Sequence, residues 1–286
     1  MATCQPHTPH APTLASTLPA NATSVSVASL DASAPNARAT PDAPVAPAAM
    51  DTSRLRRMLG DEGVARLAAA RVLVVGLGGV GSSCAEALAR AGVGHLSVVD
   101  KDVVEPSNAN RQALAFQSTM GRPKAEVMRA MILDLNPAAD VDARRVFVQA
   151  HNVAEVFDPR PDFAVDAVDS VAPKLALAQY AFQHDVPLVS AMGAGNKYDP
   201  TRFEFADIAQ TSVCPLAKAM RRECRRRGIG RLRVLYSREE PLPVPLAPGG
   251  TRGDRSNIGT MSYMPPIMGQ MIAGDVIRAI LGLPRA

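Results

Sequence analysis

The chain has 286 residues, of which 47% are apolar, 4% aromatic and none tryptophan, with a formal net charge of +4. That is enough chain for one large α/β domain or two small ones around an aliphatic core. No run approaches the roughly 18 apolar residues that span a bilayer, which excludes a membrane-spanning helix and reads as a soluble, cytoplasmic protein; the mild basic excess is compatible with an acidic partner without selecting one.

Residues 1–50 are rich in Ala, Pro, Ser and Thr, and Asp31, Arg38 and Asp42 are almost their only charges. Such a segment buries too little apolar surface to offset the entropy of ordering it, so a disordered, low-complexity extension is expected. A secretory signal would need a basic start and an apolar centre, and an organellar transit peptide more arginine; translation can also begin at Met50. Residues 51–286 have the texture of a folded domain whose two halves divide near residue 192.

Asp51-Thr52-Ser53 can cap a short basic helix from Arg54 to about Leu59. Residues 71–76 form a continuous apolar run of strand length that ends in Gly76-Leu77-Gly78-Gly79-Val80-Gly81. A helix over 80–91 and a strand over 95–100 follow. Parallel strands that are apolar on both faces imply a sheet covered by helices. The alternation continues with a helix over 124–135, opened near Pro123 and stopped by Asn136-Pro137. Strands over 141–148 and 163–168, a helix over 172–184 and a strand over 187–190 come next. After Gly193 a segment punctuated by Gly, Pro and Asp leads to a basic helix over 215–227, a strand over 232–236, a loop over 237–260 and a last apolar helix over 264–281. The expected fold is α/β: a Rossmann-like, mostly parallel sheet with helices on both faces, plus a C-terminal α+β portion.

Glycine lets a backbone approach a phosphate, and the helix N-terminus that follows favours negative charge. Gly76, Gly78, Gly79 and Gly81 stand between a strand and a helix, and Asp100 ends the next strand, where a carboxylate accepts from ribose hydroxyls. These residues serve NAD as well as ATP. The loop Ser107-Asn108-Ala109-Asn110-Arg111-Gln112 favours ATP, because Arg111 and Lys124 brought to one nucleotide suit a triphosphate whose pyrophosphate leaves. Hydride transfer needs no such clamp. Asp169, at the carboxyl end of a strand, can hold Mg²⁺ against phosphate oxygens or cap the next helix. Asp166, flanked by apolar residues, reads as structural.

Together GLGGVG (76–81), VVDKDVVEPSNANRQ (98–112), GRPKAEV (121–127), LNP (135–137) and DAVDS (166–170) resemble the ubiquitin-activating-type, or ThiF-type, adenylating superfamily, from about Arg54 to about Leu281. The resemblance implies ATP and Mg²⁺ as cofactors, with room for a monovalent cation. It implies Asp100 on ribose, Asn108, Arg111 and Lys124 on phosphates, and Asp169 on Mg²⁺. It makes 51–192 the nucleotide half and 193–286 the substrate-facing half of a homodimer. Arg57 resembles the N-terminal arginine that such enzymes pass to the partner protomer's ATP site.

Residues 206–208, 213–217, 236–241 and 259–266 look like one branch of that superfamily, the tRNA threonylcarbamoyladenosine dehydratases. These activate the carboxylate of a threonylcarbamoyl group on an anticodon-loop adenosine and cyclise it with loss of water. The alternative is an adenylyltransferase for the C-terminus of a ubiquitin-like sulfur carrier. Such enzymes usually carry two CxxC pairs for zinc in this half, and Cys4, Cys84, Cys214 and Cys224 make none. The run Arg221, Arg222, Arg225, Arg226 and Arg227, extended by Arg231 and Arg233, fits the phosphates of a tRNA substrate, and also fits a solvated helix face. A sulfur-transfer protein is a further implied partner. Cys214, just before Pro215, can be read as a nucleophile, but an acyl adenylate is already activated, and a packed or loop residue is the simpler reading.

Overall fold

The computed structural model describes residues 49–245 and 258–285. The extension expected over 1–50 therefore lies, except for its last two residues, outside the described residues, as does half of the loop expected over 237–260. Among the described residues seven strands form one sheet: β1 (Arg71–Val75), β2 (His95–Val99), β3 (Asp140–Arg144), β4 (Phe163–Asp166), β5 (Leu188–Ala191), β6 (Phe203–Asp207) and β7 (Arg233–Ser237). Their order is β3-β2-β1-β4-β5-β7-β6. Every pairing is parallel except β6 with β7.

Among the described residues seven α-helices pack around the sheet: α1 (Ser53–Ala69), α2 (Gly79–Arg90), α3 (Lys124–Leu135), α4 (Val153–Val156), α5 (Val171–Gln183), α6 (Pro215–Arg226) and α7 (Met264–Leu281). The unbroken apolar run of β1 requires cover on both sides. Val72 and Val74 join residues of α1, α2, α3 and α7 in one core, and Leu73 and Val75 join α4 and α5 in another. A third cluster seats α6 on α5 and β7. A Cβ on Gly269 of α7 would stand 2.3 Å from the Val80 carbonyl oxygen, so α2 and α7 meet backbone to backbone. Among the described residues no helix is long and apolar enough to cross a membrane.

Several elements differ from the sequence reading: α4 was not expected, and the strand expected over 163–168 ends at Asp166. α1 runs ten residues past Leu59 because Gly60, with φ +68°, kinks the helix without ending it, and Leu67 anchors the second part in the core. β6 lies inside the Gly/Pro/Asp-punctuated segment: its Phe203 is buried, while Glu204 accepts a hydrogen bond from Tyr236 Oη at 2.6 Å. One buried face and charged residues on an edge strand leave only a weak apolar signal. The strand expected over 141–148 stops at Arg144, where its register with Val99 at the end of β2 finishes.

At the C-terminal end Asp275 of α7 is buried and clamped by Arg233 Nη2 at 2.7 Å and by Arg285 Nε at 3.0 Å. Burial alone would raise this carboxyl, but the bonds from Arg285 and Arg233 outweigh it and hold it below the usual carboxylate range. A depressed pKa stabilises the fold above the unfolded value and loses that contribution as pH falls through the folded one. The melting-temperature deficit of Asp275→Asn at pH 7 should therefore shrink below about pH 4.

Candidate adenylation site

The glycine turn joins β1 to α2 at the carboxyl edge of the sheet. Gly76 has φ +89°, and a Cβ there would meet the backbone of Ala167 and Val168 at 2.7–2.8 Å. A Cβ on Gly81 would lie 1.7 Å from the Gly76 carbonyl oxygen, and one on Gly79 would lie 2.7 Å from Pro265 Cβ and 3.1 Å from Arg111 Cγ. These three glycines are required by the backbone just after β4, by the turn itself and by α7. At Gly78 a Cβ meets nothing within 4 Å. Gly78 is the N-cap of α2, whose unpaired N–H groups make an anion site.

Asp100 follows β2 and braces the turn. Its Oδ2 accepts the Leu77 N–H at 2.6 Å and its Oδ1 the Asp102 N–H at 2.8 Å. Each carboxylate oxygen keeps a second lone pair, so a ribose hydroxyl would share Asp100 with the backbone. Asp102, which the sequence did not single out, ties Lys124 to this corner: its carbonyl accepts the Lys124 N–H at 3.0 Å, and its Oδ2 lies 3.9 Å from Lys124 Nζ. Lys124 itself is buried at the start of α3. The hydrogen bond from Lys101 to Asp102, with Asp100 and Asp169 nearby, raises the Lys101 ammonium above its usual range. Asp100, Asp102 and Asp169 thus converge on one edge.

The loop bearing Arg111 is stitched to the turn through Ser82. Ser82 Oγ donates to the Gly78 carbonyl at 2.6 Å and accepts the Ala113 N–H at 3.1 Å. Asn108 is buried in a 3₁₀ turn, Pro106–Asn108, and its Oδ1 accepts the Glu105 N–H at 3.1 Å. Its side chain therefore shapes the loop from within. Arg111 packs its stem on Gly79 and donates from Nη1 to the Ser107 carbonyl at 3.0 Å and to Asn110 Oδ1 at 2.9 Å. Gln112 Oε1 is buried without a hydrogen-bond partner among the described residues, the kind of acceptor that marks a place where another group can dock. Its place in a loop before an apolar stretch was the only sequence signal for it.

Asp169 is exposed three residues beyond β4 and accepts from Ser170 Oγ at 3.2 Å. Mg²⁺ takes one or two protein carboxylates and completes its shell with water and phosphate oxygens. Among the described residues no group of three or more His, Cys, Asp or Glu could hold an ion. The donor set at Asp169 therefore fits a phosphate-borne ion rather than a protein cage. Asp166 points the other way, fully buried, with Lys174 Nζ at 3.0 Å and Ser190 Oγ at 2.6 Å.

Two predicted groups lie elsewhere. Arg57 is exposed on α1, seven residues after Met50, whose methyl group would stand 3.3 Å from a Cβ on Gly92. Gly92 is beyond the far end of α2, roughly 18 Å of helix from the turn, and Arg66 of α1 donates to the Leu281 carbonyl at the end of α7 away from Pro265, so α1 lies toward the edge opposite the turn. Arg222, Arg225 and Arg226 on α6 and Arg227 just after it are exposed, but Arg221 donates to Thr211 Oγ1 at 2.7 Å and Arg233 of β7 is taken by Asp275. This basic end immediately precedes β7, at the amino edge of the sheet, opposite the glycine turn.

Cys214 is buried at the N-cap of α6, in the cluster that holds Met192, Ala217 and Met220. Val213 before it has φ +59°, and the Cys214 N–H donates back to the Ser212 carbonyl. A buried thiol presents no nucleophile to a large substrate. Cys214→Ala should keep turnover within about twofold of the wild type in a steady-state assay; a hundredfold loss would restore the thiol as a catalytic group.

The ThiF family model matches residues 52–286. This chain belongs to the ThiF family. The tRNA threonylcarbamoyladenosine dehydratase of Bacillus subtilis (strain 168) is 39% identical over 245 residues, covering 80% of this chain and 94% of the relative. That span exceeds either half of this ThiF-family chain, so the likeness runs through both. Structures of the E. coli tRNA N6-threonylcarbamoyladenosine dehydratase TcdA, in complex with AMP and with ATP, are 33% and 32% identical, with TM-scores of 0.73 and 0.71. Each match covers 79% of this chain and 92% of the other. The α/β Rossmann-like fold read from the sequence is the fold of these ThiF-type relatives.

Proposed function

We propose that this protein is an ATP-dependent tRNA threonylcarbamoyladenosine dehydratase of the cytoplasm, acting through an acyl adenylate. The observation that carries the reading is the likeness to enzymes of that name across nearly their whole length. The corner built by Gly78, Asp100, Arg111, Lys124 and Asp169 supports it.

ATP lies over Gly76–Gly81 with its ribose at Asp100. The substrate carboxylate attacks the α-phosphorus; a carboxyl-oxygen–phosphorus bond forms, and the bond to the β-phosphate's bridging oxygen breaks as pyrophosphate leaves. Arg111 and Lys124 stabilise the charge that moves onto the phosphates. Asp169 would hold Mg²⁺, which neutralises part of that charge. An amide or hydroxyl of the threonylcarbamoyl group then attacks the activated carbonyl, the ring closes and AMP departs. Net, one water is lost from the substrate and appears in AMP plus pyrophosphate.

Arg57 of α1 acts in this scheme at the nucleotide of a second protomer. Arg222, Arg225, Arg226 and Arg227 take tRNA phosphates. Because they sit at the amino edge, opposite the glycine turn, they contact the anticodon stem while the modified adenosine reaches the carboxyl edge. The test is to incubate the protein with ATP and threonylcarbamoyl-modified tRNA and follow AMP release and nucleoside mass. AMP formation matched by loss of one water per modified adenosine is expected. AMP formation driven by a ubiquitin-like carrier protein instead of tRNA would overturn the reading.

A further inference from the structure

Two of the chain's four tyrosines, Tyr198 and Tyr263, expose 55% and 38% of their surface. They are neighbours: Tyr263 Oη donates to the Tyr198 carbonyl at 2.7 Å. Neither belongs to a loose tip. The Tyr198 N–H donates to Glu239 Oε1 at 2.9 Å and Oε2 at 3.2 Å, and the Asp199 N–H donates to Oε2 at 2.9 Å. The backbone is fixed on both sides of the Tyr198 ring while the ring stays in solvent. Met261 and Ile258 are exposed beside them in sequence.

The pair stands beside the adenylation corner. Tyr198 follows β5 at the carboxyl edge, and Tyr263 directly precedes α7, whose Pro265 packs on Gly79. Asn110 Nδ2, in the loop of Arg111, donates to the Thr260 carbonyl at 3.2 Å. Asn196 and Gly259 exchange hydrogen bonds at 2.8 and 2.7 Å. Residues 259–263 therefore join the Arg111 loop to the Tyr198 loop, which sets both rings on the same side of the sheet as the glycine turn.

Resting on the dehydratase reading, we propose that Tyr198 and Tyr263 form a stacking platform for unpaired bases of the RNA loop that carries the carboxylate. RNA loops are bound through splayed bases stacked on aromatic rings, and a rigid backbone presents such rings at little entropic cost. A protein tail would instead be read by backbone pairing. Here the backbone groups are already engaged: Asn196 N–H with Gly259, Asn196 carbonyl with Leu242, Tyr198 N–H with Glu239 and Tyr198 carbonyl with Tyr263.

Tyr198→Ala and Tyr263→Ala should each weaken tRNA binding by about fivefold to a hundredfold in a direct binding titration, with the KM for tRNA rising in step. Melting temperature should shift by no more than a few degrees, the one hydrogen bond lost with Tyr263 being exposed, and ATP affinity by calorimetry should not move. Tyr198→Phe keeps the ring and should bind tRNA like the wild type. A hairpin whose loop bases are replaced by abasic linkers should bind wild type and Ala variants equally. Unchanged tRNA binding by both Ala variants, or a Tyr198→Phe defect as large as that of Tyr198→Ala, would overturn the platform. Binding is read without turnover: a wild type that binds tRNA through these rings but releases no AMP fails the dehydratase reading alone.

Discussion

Arg111→Ala should lower kcat/KM for tRNA-dependent AMP formation by at least about a hundredfold, the scale on which losing one preorganised charge donor is felt. The guanidinium is held on its own loop by the Ser107 carbonyl and Asn110 Oδ1, and its stem rests on Gly79. Its charge is therefore positioned over the turn before any ligand arrives. Those contacts are local and partly exposed, so the melting temperature should shift by no more than a few degrees. Arg111→Lys should recover little, because a lysine reproduces neither the planar fork nor its anchors. Lys124→Ala should be similarly damaging, since Lys124 is buried beside Asp102 and has few other places to direct its ammonium. Near-normal turnover by either Ala variant, measured as AMP released at saturating ATP, would remove that residue from the phosphate clamp.

The second large effect is on stability. Asp166 and Lys174 are both fully buried and paired at 3.0 Å, with Ser190 Oγ bonded to each. Asp166→Ala strands the Lys174 ammonium in the core with one hydroxyl as partner. Breaking such a pair from one side costs about 3–5 kcal/mol, which in a domain of this size is a fall in Tm of roughly 6–20 °C. The double variant Asp166→Leu/Lys174→Met should regain most of that loss, because two apolar side chains leave no uncompensated charge. Thermal denaturation of the three proteins checks both statements. A single variant that melts within about 2 °C of the wild type would show that the pair contributes little.

The elements that carry the site were legible because their signals are local. β1 is an unbroken Val/Leu run, the glycines follow at once, and Pro123 and Asn136-Pro137 bracket α3, so residues close in sequence decide the structure. β6 was not legible because an edge strand needs only one apolar face, and Phe203 and Phe205 are separated by Glu204 in a segment full of turn residues. Asp100, next after β2, and Asp169, three residues beyond β4, were singled out by the rule that ligands bind past strand ends. Asp102 was not, since its role depends on Lys124, 22 positions away. Arg221 and Arg233 looked like members of a free basic run, but tertiary partners, Thr211 and Asp275, withdraw them. Sequence spacing reports which charges are near each other, not which are already spent inside the fold.

The clearances around the glycine turn also say what the motif remembers. A descendant of this chain that gave up its nucleotide would still have to keep Gly76, Gly79 and Gly81, because the backbone after β4, α7 and the turn's own carbonyl leave no volume for a methyl group. Only position 78 would be released to drift. Three of the four glycines are thus a record of ancestry in how the helices and sheet nest, and the fourth is the position to watch when asking whether a relative still binds.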